Sequence, residues 1–490
     1  MTTRLPGGDV PIRLAERLHA LDYTVEGVQR LVGAVASRAL ERDETLPASR
    51  AIRDDRSPLA TVVRVLVAGE TVERAELEAA LGLTTEQLGD LVASSSNEVR
   101  ASVDLSPCAI DEESWLIASD WSTRHTGVPS ASDHVLGVGG ASMMLAQCTV
   151  RPTVDRSLDI GTGCGVQALL LASHSRDVVA TDVSQRCLEF ARFNAELNGR
   201  RIALRAGSLF EPVVNDEYDL IVSNPPFVVG SPTRGRHDYR DFGGSGDEVC
   251  QRVVTGSERH LSPGGWCQLL ANWEIVDADD WSLNPRSWTA ETGLDGWVIQ
   301  REVQDPAEYV ETWLRDAGEH RGRRYRALYD EWLTALDARG VTGIGFGLIN
   351  LRRGDRSMPI RRFQHAPQAW LQPVAPDIER WFAVHALLAD DQARVLLERW
   401  KVSDDVVIEQ HLRGGAQPIV MARRTTGMCW SGPIDAFGVD VLARLDGSQP
   451  AAEAVLSVAV EHNIAQEDAL RQAVPALLRL AEEGFIRAVA

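Results

Sequence analysis

At 490 residues the chain is too long for one ordinary hydrophobic core, and its length alone suggests about three domains. A formal net charge of -20 and a pI near 5.0 argue for a soluble protein and against a broad polyanion-binding surface. Seven cysteines lie scattered without CxxC pairs, which suits reduced thiols in a cytoplasm better than a disulfide framework or a zinc site.

Met1 to Asp9 carries no apolar run, so no signal peptide is expected. No window approaches the ~18 uncharged apolar residues of a membrane span. Leu14, Leu18, Leu21, Val25, Val28, Leu31, Val32 and Val35 recur at helical spacing and predict a helix pair broken near Asp22-Tyr23. Ser57-Pro58 then opens an apolar helix as cap and first residue. A helix after Thr71 and another from Thr84 or Thr85 follow. EVRASVDL and SWLIASD alternate like a hairpin. Three helices and a hairpin suggest a winged-helix-like module at roughly 55 to 122. Residues 1–150 hold 13 Arg against 22 Asp and Glu, a balance of -9, and no basic stripe for nucleic acid stands out. A protein-recognition or packing module fits that balance better.

Residues 126–147 crowd Gly137, Gly139 and Gly140 before a short helix, with Asp133, His134 and Ser142 as candidates for lining a site. Then strands and helices alternate: SLDIGT, a helix from Val166, VVATDV, a helix from Ser184 to Asn198, RIALRAG and YDLIVSN. GWCQLLANWEIV, GWVIQREV and TGIGFGLINLRR supply strands five to seven, the last two separated by helices near 306–316 and 325–338. Such alternation predicts a doubly wound, mostly parallel sheet ending near Arg353. Beyond it, helices are expected near 378–388 and 391–400, a strand pair at VVIEQHL and PIVMARR, and three last helices closing on an apolar strand. The expected division is 1–125, 126–355 and 356–490.

Asp159, Gly161, Gly163 and Gly165 form D-x-G-x-G-x-G at the end of the first core strand. The glycines allow a tight turn that brings backbone N–H groups close to a ligand. A nicotinamide cofactor would suit the loop as well. Two details favour S-adenosylmethionine: Asp159 inside the strand suits its ammonium, and Asp182, about twenty residues beyond the turn, can accept both ribose hydroxyls. Thr162 and Val183 are further cofactor-lining candidates. Ser208, with Leu209, ends the third strand.

Asn224-Pro225-Pro226-Phe227 closes the fourth strand. A planar nitrogen has its lone pair delocalised and is a poor nucleophile. The Asn224 side-chain oxygen and the Pro225 carbonyl can each accept one of its N–H bonds and hold its face towards the methyl donor, while Phe227 stacks on the flat substrate.

These motifs together resemble a class I S-adenosylmethionine-dependent methyltransferase. With the following YRDFGGSGDEV and Pro263-Gly264-Gly265, the stretch 130–275 is similar to the HemK/PrmC glutamine N5-methyltransferases and to the small domain of rRNA guanine-N2 methyltransferases. The resemblance implies an α/β fold: a seven-stranded doubly wound Rossmann-like sheet flanked by mainly helical, winged-helix-like N- and C-terminal modules. It also implies S-adenosylhomocysteine as product, and relatives usually place Asp or Asn where Ser208 stands. Implied partners are a release-factor-like or ribosomal protein, or an RNA.

Arg234, Arg236, His237 and Tyr239 follow Phe227 and are candidates to grip an acidic or phosphate-bearing substrate. Arginine clusters at 321–326, 352–353 and 361–362 favour RNA if they converge on one face. The histidines show no metal spacing, and no metal is expected. Three readings result: methylation of a glutamine-type protein amide, methylation of an exocyclic base amine (adenine N6 or guanine N2), and a non-enzymatic assembly module. The intact motifs speak against the third.

Overall fold

The computed structural model describes residues 4–110, 113–127, 131, 133–226, 247–319, 321–388, 391–412, 414 and 418–489. Its contacts cluster into two units, Met1–Ala146 with Pro152–Ala366, and Gln147–Arg151 with Pro367–Ala490.

The first unit is built on a central sheet of β1 (Val154–Ile160), β2 (Ser175–Asp182), β3 (Ala203–Ala206), β4 (Tyr218–Ser223), β5 (Leu261–Ile275), β6 (Asp295–Gln304), β7 (Gly343–Arg352) and β8 (Arg361–His365). In space the order is β8-β6-β7-β5-β4-β1-β2-β3. Strands β1 to β5 run parallel, whereas β7 is antiparallel to both β5 and β6. All seven strands expected from the sequence are present, and β8 makes eight. It had no apolar signal because RRFQH adds to the sheet edge through specific partners. Trp297 Nε1 donates to Gln364 Oε1 at 3.1 Å, the Arg362 guanidinium lies over the Trp297 ring, and Arg361 reaches the Thr292 carbonyl.

Two apolar layers cover the sheet. Leu158, Ile160, Ile221, Leu269, Trp273 and Val298 pack with helix Glu248–Ser257 on one face. On the other side, helices Val166–Leu171 and Gln185–Leu197 share a core with the N-terminal elements through Leu169, Phe190 and Phe193. Trp281 stacks on the buried Trp273, and Trp288 and Trp297 are buried, so this tryptophan cluster packs the fold.

The N-terminal elements run helix Pro58–Leu66, strand Val72–Glu73, helices Arg74–Leu81 and Thr85–Leu88, then strands Val92–Ser94 and Glu98–Ala101. Ser57 caps the first helix, and Thr84 with Gln87 forms a capping box on the third. The expected single hairpin is two structures. Glu98–Ala101 pairs back onto Val92–Ser94 and Val72–Glu73, while Asp104–Ile110 pairs with Glu113–Ser119.

The second of these hairpins is tied to the central unit by two amides. Asn194 Oδ1 accepts from the Ala118 amide at 2.8 Å, and Nδ2 donates to the carbonyls of Ala118 at 2.9 Å and Cys164 at 2.8 Å. One helical turn on, Asn198 exchanges the same pair of bonds with Leu116. The unpaired edge of strand Glu113–Ser119 is thereby satisfied by side chains. Asn194→Ala would strand three buried polar groups, so a loss of roughly 3 kcal/mol or more is expected. A thermal melt checks it: an unchanged midpoint would remove Asn194 as the tie.

In the second unit, strands Val406–His411 and Ile419–Arg424 pair as expected, and three helices lead to strand Ile486–Ala488. The expected helix at 391–400 is instead a short 3-10 turn, Gln392–Leu396, followed by strand Arg399–Val402. Trp400 decides this: its ring is fully buried and its Nε1 donates to the Val395 carbonyl at 2.8 Å, which turns the chain back on itself. Among the described residues no helix is long and apolar enough to cross a membrane.

Candidate active site

In an open α/β sheet the ligand crevice lies at the carboxyl ends of the strands where the order reverses, here between β1 and β4. Ile160 and Ser223 are the paired ends of these strands, and Ser223 Oγ donates to the Ile160 carbonyl at 2.9 Å. The loops that follow touch. A Cβ added to Gly161 would stand 3.9 Å from the Pro225 Cα. The two motifs, more than sixty positions apart in sequence, are thus one site.

Gly161, Gly163 and Gly165 have φ of +72°, +54° and +92°, the left-handed region that favours glycine. Gly165 is needed twice over, because a Cβ there would press on Ala191 of the neighbouring helix at 3.1 Å.

Asp159 is 1 % exposed. Its Oδ2 accepts from Thr162 Oγ1 at 2.6 Å and from the Ala168 amide at 3.1 Å, while Oδ1 is buried without a partner among the described residues. Burial pushes this carboxyl up to about 7, against the lowering effect of those two hydrogen bonds. Asp182 is also raised by burial, and its oxygens accept from the Gly163 amide at 3.0 Å and the Ser184 amide at 2.8 Å. Each of these oxygens keeps a second lone pair. An orphaned carboxylate oxygen beside the glycine turn and a carboxylate with spare acceptor capacity fit the ammonium and ribose hydroxyls of S-adenosylmethionine.

The expected cofactor-lining residues converge. Val183, 54 % exposed, follows Asp182, and the Gly207 amide donates to the Asp182 carbonyl, which sets Ser208 beside them. Ser208 is half-buried, with its amide 3.4 Å from Glu211 Oε2. Leu209 and Phe210 turn into the core, where Phe210 stacks on His260.

Asn224 is half-buried and Pro225 buried. Asn224 Nδ2 donates to Ser142 Oγ at 3.2 Å, in helix Gly140–Cys148. That helix is held in turn by Gln167, whose Nε2 donates to the Ser142 carbonyl at 2.8 Å. With Nδ2 so engaged, Asn224 Oδ1 is a buried acceptor with no partner among the described residues.

His134 lies with Nδ1 3.6 Å from Asp120 Oδ2. Asp120 also takes both terminal nitrogens of Arg186, which reaches the Asp133 carbonyl too. This knot ties Asp120, Asp133 and His134 to the start of the helix after Asp182. Phe227, Arg234, Arg236, His237 and Tyr239 lie outside the described residues.

Gln167, which holds the Ser142 helix, gave little warning: it interrupts an apolar stretch, and a polar residue in such a position is the one signal that could have found it. Arg352, Arg353, Arg361 and Arg362 belong to the end of the sheet opposite the crevice, since Arg352 pairs with Trp266 and Asp295 and Arg361 with Gly296, at the starts of β5 and β6.

Ionisation of Asp159 should be linked to ligand binding. With its folded pKa near 7 and an unfolded value near 4, the neutral carboxyl stabilises the fold below about pH 4, and this is lost as pH rises through about 7. An ammonium beside Oδ1 favours the ionised form. Affinity for S-adenosylmethionine is therefore expected to rise between about pH 5.5 and 7.5, with the slope lost in Asp159→Asn. Calorimetry across that range checks this, and a flat wild-type profile would remove the assignment.

Residues 132–278 match the family described as "Methyltransferase small domain", and residues 20–102 match a "Domain of unknown function (DUF7059)". The chain is 35 % identical over 130 residues to a release factor glutamine methyltransferase of Xylella fastidiosa, covering 24 % of this chain and 47 % of that one. It is 36 % identical over 136 residues to a ribosomal RNA small subunit methyltransferase C of Klebsiella pneumoniae, covering 27 % and 35 %. Among solved structures, the 16S rRNA N2 G1207 methyltransferase of T. Thermophilus superposes with TM-score 0.27 at 18 % identity, covering 44 % of this chain and 61 % of that one. The chain spans less than half the length of these two curated relatives. The crevice with its glycine turn, paired aspartates and Asn-Pro-Pro loop accordingly falls within a methyltransferase small domain at residues 132–278.

Proposed function

We propose that the protein is an S-adenosylmethionine-dependent N-methyltransferase acting in the cytoplasm on a planar nitrogen, a glutamine-type amide of a protein substrate. The observation that carries this is Asn224 Oδ1, buried at the strand-order reversal without a partner among the described residues, on the loop whose Pro225 lies against the glycine turn. An acceptor held out of water with no partner is costly, by about 1–3 kcal/mol, unless a ligand N–H completes it.

Asp159 would hold the cofactor's ammonium, Asp182 its ribose, and Val183 and Ser208 would flank its adenine. When bound, S-adenosylmethionine supplies a sulfonium methyl: the sulfur–carbon bond breaks as the nitrogen–carbon bond forms, S-adenosylhomocysteine leaves, and one proton passes from the nitrogen to water. Asn224 Oδ1 and the Pro225 carbonyl accept the two N–H bonds and orient the nitrogen. Neither is a base, so their contribution is positioning and complementarity to the charge that develops on the NH2 group. Ser142 and Gln167 hold the Asn224 amide in the orientation that presents its oxygen.

The relative named as a ribosomal RNA methyltransferase supports a second reading, an exocyclic base amine. The amide is favoured because the arginines at 352, 353, 361 and 362 sit at the end of the sheet opposite the crevice, and Arg324 is paired with Glu319. The crevice itself is lined by aspartates. Tritiated S-adenosylmethionine labelling of an extract from a deletion strain tests it: label lost to protease supports the amide, label lost to RNase overturns it.

A further inference from the structure

We infer that Asn272 is a substrate-specificity residue that donates to the acceptor beside the methylated nitrogen, the carbonyl oxygen of a substrate amide; this rests on the planar-nitrogen reading above.

The argument starts from the register. Asp159 pairs with Val222, and Val222 with Gln268, so the three lie in one row across one face of the sheet. Period-two alternation puts Asn272 and Glu274 on that face of β5, and Asn224 follows Val222 on it. β4 ends at Ser223, level with Leu269, while β5 runs on to Ile275 and overhangs the crevice. Asn272 is then two residues beyond the level of Asn224 and one strand across, a Cα separation of roughly 8 Å. That is about the span of one carboxamide with a hydrogen bond at each end.

The second observation is chemical. Asn272 is 2 % exposed, and its Nδ2 is buried with no hydrogen-bond partner among the described residues. The carboxylates nearby are bonded elsewhere. Glu274 pairs with Arg339 at 2.8 Å, and Asp247 Oδ2 accepts from the Glu274 amide and from Asn284 Nδ2, both at 2.9 Å. Among the described residues the end of β4 therefore presents an orphaned acceptor, Asn224 Oδ1, and the overhang an orphaned donor, Asn272 Nδ2. A primary amide offers the complement, an NH2 and a carbonyl oxygen on one carbon. Placing both asparagines on it fixes the plane of the group, whereas Asn224 alone leaves it free to turn.

The test uses tritiated S-adenosylmethionine with the full chain and three probes: N-acetylglutamine methylamide, guanosine and adenosine. Asn272→Leu is expected to raise the KM for the amide at least about tenfold, the value of one lost buried hydrogen bond. Its affinity for S-adenosylmethionine should not change, and its melting temperature should be equal or higher, because an unpaired buried donor has been replaced by an apolar group. An unchanged KM, or a fall in melting temperature accompanying the loss, makes Asn272 structural and overturns the inference alone. Wild-type turnover of a nucleoside but not of the amide overturns the amide assignment and leaves the methyltransferase. Turnover of none of the probes overturns both.

Discussion

Asn224→Ala is expected to abolish methyl transfer, by about a hundredfold to a thousandfold in kcat, while leaving S-adenosylmethionine affinity close to wild type. The side chain follows the end of β4 and is held from one side by Ser142, so removing it deletes the acceptor without touching the glycine turn or either aspartate. An interaction that matters most as charge develops on the nitrogen should appear in kcat rather than in ligand affinity. The supporting shell gives an internal control: Gln167 acts only through the Ser142 helix, so its loss should affect turnover less than loss of Asn224. Single-turnover kinetics beside calorimetry separates the two quantities. Unchanged turnover in Asn224→Ala would end the role assigned to the Asn-Pro-Pro loop.

Asp182→Ala is expected to weaken S-adenosylmethionine binding by roughly a hundredfold, the scale of two charge-assisted hydrogen bonds at about 1.5 kcal/mol each. A further loss is built into the site. The Asp182 carboxylate also accepts from the Gly163 and Ser184 amides, so the substitution releases the glycine turn and the start of the next helix together. Asp182→Asn separates these effects: it keeps the size of the side chain, and one oxygen still accepts an amide. Its binding should fall between the wild type and the alanine variant. Equal affinity of Asp182→Ala and wild type would remove the ribose assignment.

Much of this site was legible because its signals are local. A glycine turn must follow its strand directly, an acid ending the next strand comes a helix later, and Asn-Pro-Pro ends the strand that pairs with the first. Each signal sits at the end of its own strand, so D-x-G-x-G-x-G, Asp182 and Asn224 could each be read in place. Strand β8 escaped for the opposite reason: RRFQH has no apolar alternation, and its place depends on Trp297, Thr292 and Gly296 across the sheet. Trp400 likewise turned an expected helix into a turn and strand through a bond to Val395 that no periodicity announces.

The sequence by itself determined the chemistry at the carboxyl ends of β1, β2 and β4, because backbone conformation and hydrogen-bonding capacity belong to the residues themselves. Only the tertiary structure decided which polar groups are left unsatisfied. Asn224 and Asn194 are the same residue type; folding gives every polar atom of the Asn194 amide a backbone partner and leaves the oxygen of Asn224 with none among the described residues. Whether a side-chain oxygen braces a strand or awaits a substrate depends on what long-range packing brings within about 3 Å of it, and no local pattern carries that information.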